Sequence, residues 1–264
     1  MFAAMFRTLL SALTVATIAL PASAGSILAI FAHPDDELTV APMLARYARE
    51  GNEVHIAYAT SGDQGPGVSS LPKGAELAKV REGEARCSAN ALGLTSINFA
   101  GYGDGTLGAA TDPPGQLLAA LTQKMGALIN SVRPDVIVTW GPDGGYGHPD
   151  HRLVSAVVTS AVQATGEGAP RLVYPGIPTM DPAALPPEFQ RWAMTDPARL
   201  NITVPYEDAD FQAARAAFLC HETQFDAQYR QTAPLFLHGV IWRGAIRLRD
   251  WSGGEPSADV LPEN

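Results

Sequence analysis

The chain has 264 residues, of which 46% are hydrophobic and 17% are charged, and its formal net charge is −9. This composition is typical of a globular protein and excludes a fibrous or disordered chain. The acidic balance and the absence of a basic run from the sequence argue against phosphate backbones as partners, so we expect no nucleic-acid binding. No linker or block of like charges divides residues 25–264, which we predict to form a single domain.

The N-terminal segment has the features of a secretory signal. Arg7 precedes an apolar run over residues 8–20, and the small residues 22–24 follow it. This order of charged, apolar and small residues is typical of a signal peptide. The run is shorter than the ~20 residues that a membrane-spanning helix needs. We therefore predict a signal peptide over residues 1–24 and export to the periplasm or the extracellular space.

Cys87 and Cys220 are the two cysteines of the sequence. An exported protein is permitted a disulfide bond, but export does not require one. Because the spacing of the two residues does not decide the matter, a disulfide and two free buried thiols both remain open.

The chain after residue 24 alternates predicted strands and helices. Residues 26–32 are a continuous apolar run, which is typical of a strand covered on both faces. Further strands are predicted at 53–60, 96–100 and 135–140, and helices at 37–50, 76–92, 116–132 and 149–164. This alternation predicts an α/β fold of the Rossmann-like, doubly wound type, with a mostly parallel sheet and helices on both faces.

The last third of the chain is harder to assign. Prolines are frequent over residues 170–187, where we expect irregular surface loops. Residues 201–204 suit a strand and residues 208–220 suit a helix, and residues 236–249 are expected to close the edge of the sheet. The last dozen residues are predicted to form a loose tail.

Chemically active side chains follow the first predicted strand, in His33-Pro34-Asp35-Asp36. The carboxyl ends of parallel strands are where α/β proteins bind ligands. Pro34 suits the first position of a helix, so His33 and Asp36 should lie on one face of its first turn. Asp35 lies between them on a different face, where a general base beside a metal ion would have to be.

A similar segment follows the strand predicted at 135–140. It contains Tyr146, His148, Asp150 and His151, with the two histidines three residues apart at the start of a helix. A single aspartate near a helix start is usually a cap, and a single histidine is usually structural. However, the switch point of a doubly wound sheet brings two such strand ends together, and the combined side chains predict a metal site.

The paired motifs resemble those of the PIG-L/LmbE-like zinc N-deacetylases. The resemblance rests on residues 32–37 and 145–151 and extends to segments 60–65, 81–84, 101–104 and 220–224. It implies that Zn²⁺ binds to His33, Asp36 and His151, with Asp35 as the general base. It further implies that His148 and Tyr146 stabilise the transition state and that Arg81 and Asp104 contact the substrate. We expect Asp150 to orient His148, and packing of Tyr146 over the site remains an alternative to its catalytic role.

The implied function is the removal of an acetyl or similar acyl group from an N-acylated amino sugar, glycolipid or glycan. Two imidazoles and one carboxylate leave a coordination position for water, whose proton Asp35 accepts. Either Asp35 or His148 then protonates the leaving amine. The same donors also suit Fe²⁺ in a non-haem oxygenase, and a sugar- or metal-binding protein of this fold is a further alternative. A base beside the metal favours hydrolysis.

Overall fold

The structure is a computed structural model that describes residues 24–107 and 115–262. Its centre is a seven-stranded sheet with the strand order β3-β2-β1-β4-β5-β9-β8. The first five strands of the chain run parallel: β1 (Ser26–Phe31), β2 (Glu53–Thr60), β3 (Ser96–Tyr102), β4 (Val136–Thr139) and β5 (Arg171–Pro175). The strands β8 (Ile202–Pro205) and β9 (Ala245–Asp250) add an antiparallel edge. A separate two-stranded ribbon pairs β6 (Ile177–Pro178) with β7 (Met194–Thr195).

Helices cover both faces of this sheet, which confirms the predicted fold class. In chain order they are α1 (Ala41–Arg49), α2 (Ala75–Ala91), α3 (Gln116–Val132), the single turn α4 (Gly144–Gly147), α5 (Pro149–Thr165), α6 (Asp208–Cys220) and α7 (Ala227–Phe236). A π-helical turn over Leu237–Trp242 continues α7.

The alternation of side chains along β1 explains its continuous apolar sequence. Ile27 and Phe31 pack into one core with α1 and α6, whereas Leu28 and Ile30 pack into a second core with α3 and α5. Successive strand residues point to opposite faces, so a strand that is covered on both sides must be apolar at every position. β1 is therefore the central element on which the site is built.

The topology places the crevice of the sheet at the end of β1. From β1 the chain proceeds to β2 and β3 on one side, and β4 and β5 lie on the other side. The connections leave the carboxyl ends of β1 and β4 in opposite directions, which opens a crevice between them. Residues 32–37 and 140–151 line this point, as the sequence predicted.

Four local predictions need correction. Pro34 does not begin a helix: Asp35 has a left-handed backbone (φ 104°), and a 3₁₀ turn (Asp36–Thr39) precedes α1. The proline-rich stretch contains β5, whose pairing with β4 extends the parallel sheet. β9 lies between β5 and β8 and does not form the edge. Near the C-terminus Val260 is fully buried, so the predicted loose tail packs onto the domain.

A disulfide bond joins Cys87 in α2 to Cys220 at the end of α6, with a Cα–Cα distance of 5.7 Å. The sequence left open a disulfide or two free buried thiols, and the structure has the disulfide. In the part of the chain that the structure describes, no helix combines the length and apolarity that crossing a bilayer requires. The signal peptide predicted over residues 1–24 falls, apart from Ala24, outside the described residues.

Candidate metal centre and active site

The turn after β1 fixes the carboxylate of Asp36. Its Oδ2 atom accepts hydrogen bonds from the backbone N–H groups of Ala32 and His33, both at 3.0 Å, and from the indole Nε1 of Trp140 at 2.9 Å. Its Oδ1 atom lies 3.2 Å from Nε2 of His151. Burial opposes ionisation, but the charge and hydrogen bond of His151 hold the pKa of Asp36 well below its usual range.

Hydrogen bonds on the far side of each ring orient the two histidines. Nδ1 of His151 lies 3.1 Å from the carbonyl oxygen of Gly144 and donates to it, so a neutral ring would present the lone pair of Nε2 to a cation. Nε2 of His33 lies 3.0 Å from Asp104 and 3.2 Å from Asp150, so it donates to carboxylates. The remaining nitrogens, Nδ1 of His33 and Nε2 of His151, face each other at 3.2 Å.

This donor set fits a divalent cation. Nδ1 of His33 lies 3.2 Å from His151 and 3.9 Å from Asp36, so two nitrogens and one carboxylate converge on a small volume. Two facing lone pairs need a proton or a cation between them. Burial opposes a charge on His33, but hydrogen bonds to Asp104 and Asp150 raise its pKa to about 10. A metal ion would take the place of that proton.

Two other donor groups overlap with this one among the described residues. His33, His148 and His151 place ligand atoms within 4.8 Å of one another, as do His33, Asp104 and Asp150. The carboxylates of the second group accept the hydrogen bond of His33 Nε2, which is the usual arrangement around a histidine that binds metal through its other nitrogen. All three groups share His33 and therefore describe one centre.

Asp35 lies beside these donors in a strained conformation. Its φ of 104° is rare for a residue other than glycine, and its N–H donates to Glu37 Oε2 at 2.9 Å. Its carboxylate is 19% exposed and contacts Nη2 of Arg81 at 3.3 Å. Burial raises the pKa of Asp35 to about 6, against the effect of the Arg81 charge.

His148 and Tyr146 cover the site from the β4 side. Gly144 and Gly145 both have positive φ angles, which turn the chain so that α5 starts against the end of β1. Nδ1 of His148 accepts the N–H of Asp150 at 3.2 Å, and burial together with the neighbouring histidines lowers the pKa of His148. The neutral ring therefore carries its hydrogen on Nε2. Tyr146 is 40% exposed and packs edge-on against His148 and His151.

Asp150 contacts both candidate histidines: its carboxylate contacts His33, and its backbone N–H contacts His148. Its Oδ2 lies 3.2 Å from His33 Nε2 and accepts the N–H of Gly105 at 2.8 Å, while its backbone N–H serves His148. The residue predicted to orient His148 thus also orients His33.

The two residues predicted to contact substrate are largely enclosed. Arg81 is 3% exposed, and its guanidinium donates to the carbonyls of Gly62, Gly65 and Pro34 as well as to Asp35. Asp104 is 8% exposed and contacts His33. In this structure Arg81 positions the loop after β2 and the Asp35 carboxylate.

The sequence did not indicate that Glu37 holds Asp35 in place through a network of hydrogen bonds. Glu37 is fully buried and accepts hydrogen bonds from Tyr58, Ser88 and His221 at 2.7, 2.6 and 2.7 Å, in addition to that of Asp35. Although burial opposes both charges, the pairing with His221 lowers the pKa of Glu37, and Glu37 raises that of His221. The only sequence signal was the Glu at the end of the first motif.

Trp140 was also missed. Its indole ring stacks on His151 with an interplanar angle of 5° and a centroid distance of 4.4 Å. Together with its hydrogen bond to Asp36, this contact holds two of the converging donors. An aromatic residue at the end of β4 was the available sequence signal.

A comparison with known families agrees with this geometry. The family model described as "GlcNAc-PI de-N-acetylase" (PIG-L) matches residues 28–162, which include all the converging side chains described above except His221. A relative from Rhodococcus opacus, a 1D-myo-inositol 2-acetamido-2-deoxy-alpha-D-glucopyranoside deacetylase, is 32% identical over 87% of this chain and 95% of its own. The chain belongs to the PIG-L family. The resemblance drawn from the motifs is confirmed.

Solved structures share the fold at lower identity. The N,N'-diacetylchitobiose deacetylase of Pyrococcus horikoshii is 20% identical with a TM-score of 0.61, and the alignment covers 86% of this chain and 84% of that one. The hydratase GalB of Pseudomonas putida is 16% identical with a TM-score of 0.62, over 91% and 99% of the two chains. Because a deacetylase and a hydratase share this fold, the fold alone does not select the reaction.

The predicted export is wrong. The chain's relatives over most of its length are deacetylases named for a 1D-myo-inositol conjugate of an acetamido sugar, and this relationship contradicts the prediction. The export prediction rested on a short compositional pattern, whereas the family match rests on residues 28–162.

Proposed function

We propose that this protein is a metal-dependent hydrolase that removes the acetyl group from the nitrogen of an N-acetylated amino sugar. The observation that carries the proposal is the convergence of His33 Nδ1, His151 Nε2 and the Asp36 carboxylate beside the partly exposed carboxylate of Asp35. Membership of a family of de-N-acetylases, and relatives named for deacetylating a 2-acetamido sugar, support the same reaction.

We infer that the cation is Zn²⁺ held by His33, Asp36 and His151. Imidazole nitrogen and carboxylate oxygen are the ligands of catalytic zinc, and three protein ligands leave a position for water. When bound, the cation supplies the Lewis acidity that activates this water and polarises the amide carbonyl. Fe²⁺ accepts the same donors, and metal analysis distinguishes the two ions.

The chain's own groups perform the proton transfers. Asp35 accepts the proton of the attacking water, and its raised pKa suits a group that must also give a proton back. His148, with Nδ1 occupied by the Asp150 N–H, donates from Nε2 to the oxygen on which negative charge develops. Asp35 then protonates the amine nitrogen as the C–N bond breaks. Tyr146 packs against both histidines and shields this region from water.

The deciding experiment measures acetate release from N-acetylglucosamine and from its 1D-myo-inositol conjugate. We expect release by protein loaded with Zn²⁺, none after chelation, and recovery when Zn²⁺ is returned. Equal amounts of acetate and free amine, without oxygen consumption, separate hydrolysis from the oxygenase alternative. Binding of the sugars by metal-loaded protein without any acetate release would instead support a binding protein and contradict the proposal.

A further inference from the structure

A large apolar cavity extends from the candidate metal centre into the C-terminal half of the chain. It has a volume of about 380 Å³ and begins beside Asp35, Asp36 and Tyr146. Pockets of 300 Å³ or more typically hold molecules of drug size, far larger than a single methyl group. Its wall combines aliphatic residues and a few charged side chains, among them Glu188 and Arg191, with aromatic residues that include Trp140, Phe189, Trp192, Phe225, Tyr229 and Trp242.

The two sides of the metal centre differ in polarity. Nε2 of His33 faces the carboxylates of Asp104 and Asp150, whereas Nδ1 of the same ring faces Asp36 and His151. The cavity begins on the Asp36 side. Sugar hydroxyls need hydrogen-bond partners, which the carboxylates of Asp104 and Asp150 supply and the aromatic and aliphatic parts of the cavity wall do not. The sugar therefore belongs on the Asp104 side, and the acyl half of the amide belongs on the side of the cavity.

Most of the cavity wall comes from a part of the chain that the family model does not cover. The match ends at residue 162, whereas the lining residues from Pro175 to Arg247 follow it. The cavity is thus formed mainly by segments outside the family match, although the relative from Rhodococcus opacus aligns with 87% of this chain. The relatives named above act on an acetamido group, whose acyl part ends in one methyl.

We propose that the cavity binds an apolar N-acyl chain or ring larger than acetyl, so that the substrate is an N-acylated amino sugar with a medium-length or aromatic acyl group. This inference rests on the proposed hydrolase function. Water adds its hydroxyl to the acyl carbon and its hydrogen to the nitrogen as the C–N bond breaks, and the products are the free amine and the corresponding carboxylic acid.

A series of substrates that differ only in the N-acyl group tests the proposal directly. Metal-loaded full-length protein is assayed with glucosamine carrying acetyl, butanoyl, hexanoyl, octanoyl or phenylacetyl groups. Burial of each methylene should raise kcat/KM by about fourfold until the cavity is filled, so hexanoyl should exceed acetyl by at least about a hundredfold. A flat series with measurable turnover of the acetyl compound would overturn the proposal and leave the hydrolase function standing.

A second series of substrates carries the apolar group on the sugar and keeps the N-acetyl group unchanged. Methyl, butyl and octyl glycosides of N-acetylglucosamine should differ little from one another, because their alkyl groups do not enter the cavity. An increase confined to the glycoside arm would contradict the assignment of the cavity to the acyl side.

A binding measurement keeps the proposal testable if no compound is hydrolysed, an outcome that would overturn the hydrolase function. Trp140, Trp192 and Trp242 line the cavity, so their fluorescence reports its occupation. Octanoyl-glucosamine should bind at least about a hundredfold more tightly than the acetyl compound. Equal affinities would overturn the cavity assignment.

Two variants locate the effect in the cavity. Trp192→Ala and Phe225→Ala alter half-buried side chains of the wall, which favours retention of the fold. Trp251→Ala is the matched control, because this tryptophan is 42% exposed and lies apart from the cavity wall. The hexanoyl-to-acetyl ratio of kcat/KM, taken within each variant, should fall at least about tenfold in the first two and stay unchanged in the control. An unchanged ratio in all three would contradict the proposal.

Discussion

At the scale of single residues, the different roles proposed for the adjacent aspartates follow from their different environments. Asp36 accepts two backbone N–H groups and an indole N–H, all of which stabilise its charge and fix its position. Asp35 is held by its backbone and one arginine, and its partly exposed carboxylate is available to exchange a proton. The two residues also differ in backbone conformation, since Asp35 has a left-handed φ and Asp36 begins the 3₁₀ turn.

Asp35→Asn should abolish most of the turnover and keep the metal. The amide cannot accept the proton of water, so we expect kcat to fall by about two to four orders of magnitude. Metal content is measured by elemental analysis of the same preparation. Asp181→Asn is the control, since this exposed residue caps a short turn far along the chain. Near-normal turnover of Asp35→Asn would show that another group is the base.

Trp140→Phe should weaken metal binding with little change in packing. The phenyl ring can still stack near His151, but the hydrogen bond from Nε1 to Asp36 is lost. Removing such a supporting contact typically lowers metal affinity by about ten- to a hundredfold, whereas Asp36→Ala should exceed that range. Competition with a fluorescent chelator measures both affinities. If Trp140→Phe and Asp36→Ala had equal effects, Asp36 would not be a direct ligand.

At the scale of secondary-structure elements, the buried side chain of Glu37 connects the turn after β1 to β2, to α2 and to the end of α6. Its carboxylate contacts Tyr58 in β2, Ser88 in α2 and His221, which follows α6. The same carboxylate accepts the N–H of Asp35. The position of the candidate base is thereby coupled to the packing of α2 and α6 on the sheet.

Glu37→Gln should lower both stability and turnover. The amide replaces one acceptor oxygen with a donor that faces other donors, and it leaves His221 without its charged partner. We expect a loss of about 3 kcal/mol in the free energy of unfolding, as for other broken buried pairs.

Ser88→Ala removes only one neutral donor from Glu37 and serves as the matched variant, with an expected loss of about 1 kcal/mol. Urea unfolding gives both free energies. Equal losses for the two variants would contradict the charged pairing of Glu37 with His221.

The sequence predicted the elements whose pattern is local. β2, α3 and α6 have the predicted bounds, because strand alternation, helix periodicity and flanking glycines are all visible within a short window. β5 was missed because Pro170 and Pro175 at its two ends indicated loops, although a strand tolerates proline at its ends. The insertion of β9 between β5 and β8 depends on pairing across distant segments, which no local pattern encodes.

For the candidate site, the sequence predicted which side chains meet but not their detailed geometry. The motifs indicated which side chains meet, because strand ends in a doubly wound sheet must converge at the switch point. The φ of Asp35 and the hydrogen bonds to Glu37 depend on contacts with residues far along the chain. The apolar cavity is assembled from side chains of several separate segments, so its presence could not be read from any one of them.

At the scale of the whole molecule, the two cores lie on opposite faces of one sheet and share β1. The disulfide between Cys87 and Cys220 closes a segment of the chain with a sequence separation of 133 residues, and this segment contains β3, β4, β5 and α5. A cross-link over such a length restricts the unfolded chain strongly. It also joins α2, which contains Ser88, to α6, which ends next to His221.

The double variant Cys87→Ala/Cys220→Ala should therefore unfold more easily without losing its chemistry. We expect the free energy of unfolding to fall by about 2 to 4 kcal/mol, because the unfolded chain gains conformational freedom. Urea unfolding followed by tryptophan fluorescence and by circular dichroism should give coincident single transitions in both proteins, as expected for residues 25–264 forming one domain. Thiol titration of the denatured parent protein should detect thiols only after reduction. An unchanged unfolding midpoint would show that the cross-link does not stabilise the fold, and two separate transitions would contradict the single domain.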